Sequence, residues 1–498
     1  MTDTFFKDFP EANVYRESHI QDGGLTFFMM RQNLDQFLVI QGERKLLKDL
    51  PFEGEEVSVD GASFLKCPLS ANNARALRER FPFTRPVLIG KQNSYGLGDR
   101  LGNAGAAHLK VIRKTDFKPV LAQQSIRELE RTNRTAQEVM DAASWAVFRE
   151  GYKDGFGADG DHLKTTDDID LMMKSGFAMF TIDPSDYVVN EALSMNDEDL
   201  QQLYKKLPWE ELQDHPADFL DRKGHDSIRL KSGFELNPSH RSIMQGMVKY
   251  GRVITHTKKL ADYISDNYPN KPSDLELSVD ETDQPTTVFE HYLIASELSR
   301  LGVELVSLAP RFCGDFEKGI DFKGDLGQFK EEYEDHLAVA EMFGGYKLSI
   351  HSGSDKFSVY EVIGSLREGA VHVKTAGTSY LEALRTVAEA DPGLFREILV
   401  FSKTRFDDDK KTYHISARPE QVPDGDSLKD EDLKKLLDDN NARQVLHVTF
   451  GSVLGGNSSK SKNMKEKLMK CLSVNETLYE QNLVSHFDKH LRPFVQKN

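Results

Sequence analysis

The chain has 498 residues, of which 39% are hydrophobic and 29% charged, with a formal net charge of −16. This is the composition of a soluble globular protein with one large domain plus additions, or two to three domains. Its acidity disfavours nucleic acid or an anionic membrane surface as the main partner, and no stretch approaches the roughly 18 apolar residues of a membrane span.

The N-terminal "MTDTFFKDFPEANVY" has no basic segment leading into an apolar run, so a cytoplasmic location is expected. Cys67, Cys313 and Cys471 are far apart and form no C-x-x-C pair, which gives neither a disulfide framework nor a thiolate zinc site. The sequence is compatible with a homo-oligomer.

In chain order, residues 1–84 carry short β-like runs, "QFLVIQG" and "EEVSVDG", and read as a small N-terminal α+β subdomain. From 85 to 395 short apolar runs alternate with helical stretches, as parallel α/β folds require. The runs are "PVLIGKQ" (86–92), "KPVLAQQ" (118–124), "GFGADGDH" (155–162), "FAMFTID" (177–183), "DLELSVD" (274–280), "VELVSLAP" (303–310), "YKLSIHS" (346–352) and "AVHVKTA" (370–376). Capping pairs support the helices between them: Thr165 with Asp168, closed by Gly176, and Thr287 with Glu290, closed by Gly302. Eight strand-plus-helix units predict a (β/α)₈ barrel with reactive groups on the loops after the strands; an open doubly wound sheet is the alternative. Residues 184–273 form a largely helical insertion. Residues 396–498 form an α-rich C-terminal extension in which "GGNSSKSKNMKEK" reads as a mobile loop.

Ionisable groups recur at the same end of successive strands. Asp99 and Arg100 follow the first run and Gln123 ends the second; Asp161, His162 and Lys164 follow the third; Glu276 lies in the fifth; Arg311, Asp315 and Glu317 follow the sixth, His351, Ser352 and Asp355 the seventh, and Lys374 lies in the eighth. Two histidines after different strands with one or two carboxylates suit a divalent cation such as zinc, manganese, cobalt or nickel. His162 and His351 are the pair expected to hold it. His372, between Val371 and Val373, reads as a barrel-interior histidine, and His108, His291 and His336 fall within helical patterns. Asp161 suits a general base beside a metal, or else belongs to a solvated turn. Glu276, between apolar neighbours, must be paired or proton-active, because burying it alone costs several kcal/mol. "YGLGDRLG" spaces its glycines G-x-G-x-x-x-G, which is not the dinucleotide fingerprint.

The segments "NSYGLGDRLG", "FGADGDHLKT", "LELSVDET", "APRFCGDFEKGIDFKGD", "YKLSIHSGSDKF" and "HVKTAGTSYLEALR", in order from about residue 85 to 390, resemble the tagaturonate/fructuronate epimerase family of bacterial hexuronate catabolism. The resemblance implies a metal-dependent isomerase acting on a small sugar acid. It places Asp161 as proton acceptor, Glu276 as proton donor, His162 and His351 as metal ligands, and a third ligand, Asp315 or Glu317, on the "GDFEKG" loop. Asp99, Arg100, Gln123, Lys164, Arg311, Ser352, Asp355 and Lys374 are expected around the substrate, with Arg100, Lys164, Arg311, Lys356 and Lys374 as candidates for its carboxylate. Other readings of the same barrel are a ketose epimerase, isomerase or aldolase, and a sugar-binding homologue without turnover.

Overall fold

The computed structural model describes residues 12–495 apart from Asp60 and Asn457; most of "MTDTFFKDFPEANVY" lies outside them. Two compact units are formed. One takes the chain up to Val87, Leu97–Ala158 and Ala376–Arg492; the other takes Leu88–Gly96, Asp159–Thr375 and the residues after Arg492.

Near the N-terminus, β1 (Asn13–Asp22), β2 (Leu25–Gln32), β3 (Asp35–Gly42), β4 (Glu55–Val59) and β5 (Ala62–Pro68) make an antiparallel sheet in the order β1-β2-β3-β5-β4. Period-two alternation divides its apolar residues between two faces. Phe27, Met29, Leu38, Ile40 and Leu65 pack with Leu77, Phe81, Trp145 and Phe148. Phe28, Met30, Val39 and Phe64 fill the other face.

Eight strands close the barrel: β6 (Ser94–Leu97), β7 (Lys118–Ser125), β8 (Gly157–Leu163), β9 (Met179–Ile182), then, after the small hairpin β10 (Ile228–Arg229) and β11 (Glu235–Leu236), β12 (Asp274–Val279), β13 (Ser307–Pro310), β14 (Lys347–Ile350) and β15 (Val371–Thr375). Both expected capping boxes are present, at Thr165/Asp168 and Thr287/Glu290. Among the described residues, no helix is long and apolar enough to cross a membrane.

Two sequence expectations are corrected. The first run, 86–92, is not a strand: Val87 and Leu88 are 44% and 42% exposed, and the barrel strand is Ser94–Leu97. The backbone N–H groups of Ile89 and Gly90 donate to the Asp274 carboxylate, both at 2.8 Å, so a side chain at the start of β12 satisfies what a ladder would have. The segment read as a mobile loop is helical from Ser459 to Val474; the Ser458 side chain accepts from Ser461 N, and Met464, Leu468 and Leu472 repeat every fourth residue as a buried stripe. Asn457 lies outside the described residues.

Barrel interiors are usually layers of bulky branched residues. Here Leu275, Leu277, Val279, Leu348, Ile350, Val371 and Val373 alternate with buried polar groups: Glu276, Ser278, Lys347, Ser349, His372 and Lys374. These polar groups bond across strands. Lys347 Nζ donates to Gly90 O at 2.7 Å and Ser94 Oγ at 3.1 Å, and Ser94 Oγ lies 2.9 Å from His372 Nδ1.

Candidate active site

The strand register explains how two successive residues of β8 serve one site. β8 pairs with β9 at Asp159↔Met179 and Gly160↔Phe180, then at Leu163↔Ile182, so β8 carries one residue more than its partner between these points. Such a bulge re-aims side chains that regular alternation would send to opposite faces. His162 takes a left-handed backbone, φ 53, which costs a non-glycine residue about 1–2 kcal/mol. Only this residue type supplies an imidazole there, and strain of this kind gathers at functional sites.

The bulge brings the His162 ring to 5.1 Å from that of His351, centroid to centroid and edge to face. Each ring is flanked by carboxylates: His162 Nδ1 lies 3.3 Å from Asp183 Oδ2, and His351 Nδ1 lies 3.1 Å from Asp280 Oδ1. Neither Nδ1 has a partner in hydrogen-bonding geometry, although both are buried. His351 Nε2 meets Glu276 Oε1 at 2.8 Å.

Lys374 organises the acids beneath. Its Nζ lies 2.7 Å from Asp159 Oδ2, Asp161 Oδ1 and Glu276 Oε1 alike, and donates to Thr181 Oγ1 at 2.5 Å. The Thr181 hydroxyl donates to Asp159 at 2.9 Å, and the Ser307 hydroxyl donates a short bond to Glu276 Oε2. One ammonium thus spans both expected proton carriers.

The charge states follow from this crowding. Burial opposes ionisation of Asp161, but Lys374, His162 and His351 outweigh it and hold the carboxyl well below its usual range. Glu276 is likewise held ionised against burial by Lys374 and His351. Asp159 is the exception: burial, with the Asp161 and Glu276 charges, exceeds the pull of Lys374 and raises it to about 6. Burial works against both imidazoliums, yet Asp161 and Asp183 raise His162 to about 9, and Asp280 and Glu276 raise His351 to about 10. Without another cation, protons on the two rings balance the surrounding acids.

A family model for tagaturonate epimerases matches residues 15–494. The chain belongs to the tagaturonate epimerase family. A curated relative, the tagaturonate/fructuronate epimerase of Thermotoga maritima, is 41% identical over 483 residues, covering 96% of both chains. Crystal structures of the fructuronate-tagaturonate epimerase UxaE from Cohnella laeviribosi share the fold. A complex with two glycerols superposes with a TM-score of 0.91 at 37% identity over 99% of each chain, and one with a single glycerol gives 0.89 at 38% over 97% of this chain and 96% of that one.

Within this member of the epimerase family, the expected substrate residues fall into two sets. Asp99 and Arg100 are engaged inside the first unit: Asp99 accepts backbone N–H bonds from Leu101, Gly102 and Ala104 at 3.1, 2.8 and 2.7 Å, while Arg100 pairs with Glu128 at 2.9 Å and stacks 3.5 Å over Phe450. Gln123 is buried on β7. In the second unit, Lys164 pairs with Asp186 at 2.8 Å, Ser352 accepts from Lys318 at 2.6 Å, and Asp355 is buried in a left-handed turn, φ 61. Glu317 pairs with Lys323 at 2.9 Å, and Asp315 bridges backbone-to-backbone with the same lysine.

The donors at the mouth fit a divalent cation. Two imidazoles with unpartnered Nδ1 atoms face carboxylates, and His162, Asp183 and Glu281 can bring ligand atoms within 4.8 Å of one another. The groupings of this kind among the described residues include none of His351, Asp315 and Glu317. Asp183 and Glu281 were not among the ligand candidates read from the sequence, although both stand just beyond strand ends, in "TIDPSDY" and "SVDET".

The loop opened by His351 packs tightly on β15. Gly353 N donates to Lys374 O at 2.9 Å, and a Cβ there would stand 2.8 Å from Val373 Cγ1 and 3.0 Å from the Lys374 carbonyl oxygen. Gly353→Ala is therefore expected to cost about 1–3 kcal/mol, read as a lower Tm, together with reduced turnover as the His351 loop shifts. Unchanged Tm and turnover would show that the loop has room.

Proposed function

We propose that this chain is a divalent-metal-dependent epimerase that interconverts D-tagaturonate and D-fructuronate. The observation that carries the reading is the pairing of His162 and His351, ring centroids 5.1 Å apart, above two carboxylates that share one ammonium at 2.7 Å each. His162 and His351 would hold the cation through their Nδ1 atoms, with Asp183, Asp280 or Glu281 completing the set. His351 Nε2 would then donate to Glu276, the outer-shell arrangement that fixes a ligating histidine. A bound divalent cation supplies positive charge for oxyanions of the substrate.

The centre that differs between the two sugar acids carries a hydroxyl and lies β to the ketone, so simple enolisation does not activate its C–H bond. Retro-aldol cleavage does reach it. Asp161, held ionised, takes the hydroxyl proton as the bond between that centre and its neighbour α to the ketone breaks, and the bonding pair passes into an enediolate. The resulting aldehyde turns its other face, the C–C bond re-forms, and the new alkoxide takes a proton from the Glu276 side. Glu276, itself ionised, passes on a proton from Lys374 Nζ, 2.7 Å from its Oε1, and Lys374 recovers one from Asp161 Oδ1, also 2.7 Å away, which closes the cycle.

NMR of D-tagaturonate incubated in deuterium oxide with metal-loaded protein tests both parts. The expected result is a tagaturonate/fructuronate mixture with no deuterium at the inverted carbon, and no conversion after metal is stripped. Deuterium at that carbon would replace cleavage by direct proton exchange, and absence of conversion with the metal-loaded protein would refute the assigned activity.

A further inference from the structure

A sugar acid must be told from a neutral ketose by its carboxylate, and the cations around the mouth can be sorted by what already holds them. Lys374 is surrounded by three carboxylates, and Lys164 pairs with Asp186. Lys356 Nζ donates to the carbonyl oxygens of Glu317 at 2.7 Å and Ser354 at 2.9 Å, tying two loops together. Lys318 is bonded to Ser352 and Lys323 to Glu317. Among the described residues on these strand-end loops, Arg311 is the cation whose side chain has no hydrogen bond or ion pair; its bonds are those of its backbone.

That backbone is firmly placed. Arg311 N donates to Thr286 Oγ1 at 3.0 Å, and Arg311 O accepts from Thr286 N at 2.8 Å. Arg311 and Asp280 each follow directly on the last register pair, Val279↔Pro310, and Asp280 Oδ1 is 3.1 Å from His351 Nδ1. A second unspent donor lies close by. The Tyr250 hydroxyl, on helix His240–Asn267, is fully buried with no partner in hydrogen-bonding geometry, although the Thr282 and Thr286 hydroxyls and the Arg311 charge bear on it. Glu290, whose charge also bears on Tyr250, pairs with Lys249 at 3.0 Å. A planar guanidinium and a phenolic O–H, both uncommitted, are the complement of a carboxylate.

We propose that Arg311 and Tyr250 form the subsite for the substrate's carboxylate and set the preference for sugar acids over neutral ketoses. This rests on the hexulosonate reading above and selects Arg311 from the five cations that the sequence offered for the carboxylate. The test compares Arg311→Met, Arg311→Lys and Tyr250→Phe with the metal-loaded wild type, by KM and kcat for D-tagaturonate and by calorimetric binding of D-gluconate, an acid that needs no turnover.

Arg311→Met is expected to raise KM by about 10- to 100-fold, the worth of charge-assisted hydrogen bonds, with kcat within about threefold. Arg311→Lys, which keeps the charge without the fork, should fall between wild type and Met, and Tyr250→Phe should raise KM by about fivefold. Gluconate binding should weaken in parallel. Unchanged KM and gluconate affinity in a protein that still epimerises tagaturonate would overturn the subsite while leaving the activity standing. Arginine-dependent gluconate binding in a protein that converts no hexulosonate would uphold the subsite and refute the activity.

Discussion

Glu276→Gln and Asp161→Asn should each lower kcat for tagaturonate by about 10²- to 10⁴-fold, the range of a lost general acid or base, with little change in KM. Both substitutions preserve shape and remove one negative charge from a cluster that Lys374 holds together at 2.7 Å contacts. The two should differ in a second property. Glu276 also meets His351 Nε2 at 2.8 Å, so its amide variant should bind metal about 10- to 100-fold more weakly, the cost of losing an outer-shell partner. Asp161 Oδ1 lies 3.8 Å from His162 Nε2, beyond hydrogen-bonding distance, and Asp161→Asn should lose less metal than Glu276→Gln. Kinetics at saturating metal, with metal content measured alongside, separate these effects. Either variant keeping more than about a tenth of wild-type kcat would remove that residue from proton transfer.

His162→Ala and His351→Ala should lose metal and activity together, with affinity falling by more than the roughly 100-fold that an outer-shell change costs. The physical reason is the balance of charge at the mouth. Asp161, Asp183, Glu276 and Asp280 surround the two rings, which carry protons up to about 9 and about 10 when nothing else offsets the acids. A divalent cation can replace those protons, and each alanine removes one of its nitrogen donors. His225→Ala is the control, since its side chain is 81% exposed, and should retain both metal and turnover. Metal analysis after dialysis and steady-state kinetics check the set; undiminished metal content in both alanine variants would contradict the ligand assignment.

Much of the barrel was legible because apolar residues face the helices with strict period two, as in Leu275, Leu277 and Val279 around Glu276. The same alternation correctly places Glu276 in the lumen, where Thr181, Ser307, His351 and Lys374 reach it. β6 escaped notice because Ser94, Tyr95 and Gly96 carry no aliphatic run, while the exposed "PVLIG" just before it does. The juxtaposition of Asp161 and His162 depends on a bulge, and nothing in "GADGDHL" announces a left-handed histidine. Asp183 and Asp280 were visible as strand-end acids, but their approach to particular imidazoles is a matter of register between strands distant in sequence. Lys374 illustrates the converse: a lysine at a barrel mouth reads as an anion binder until three carboxylates are found already around it.

The central claim is that His162 and His351 bind one shared ion. Anomalous diffraction from crystals soaked in manganese tests it most directly. The expected result is a single strong peak at bonding distance, about 2.0–2.3 Å, from a ring nitrogen of each histidine. A peak that touches only one ring, or no peak near either in crystals of active enzyme, would contradict it.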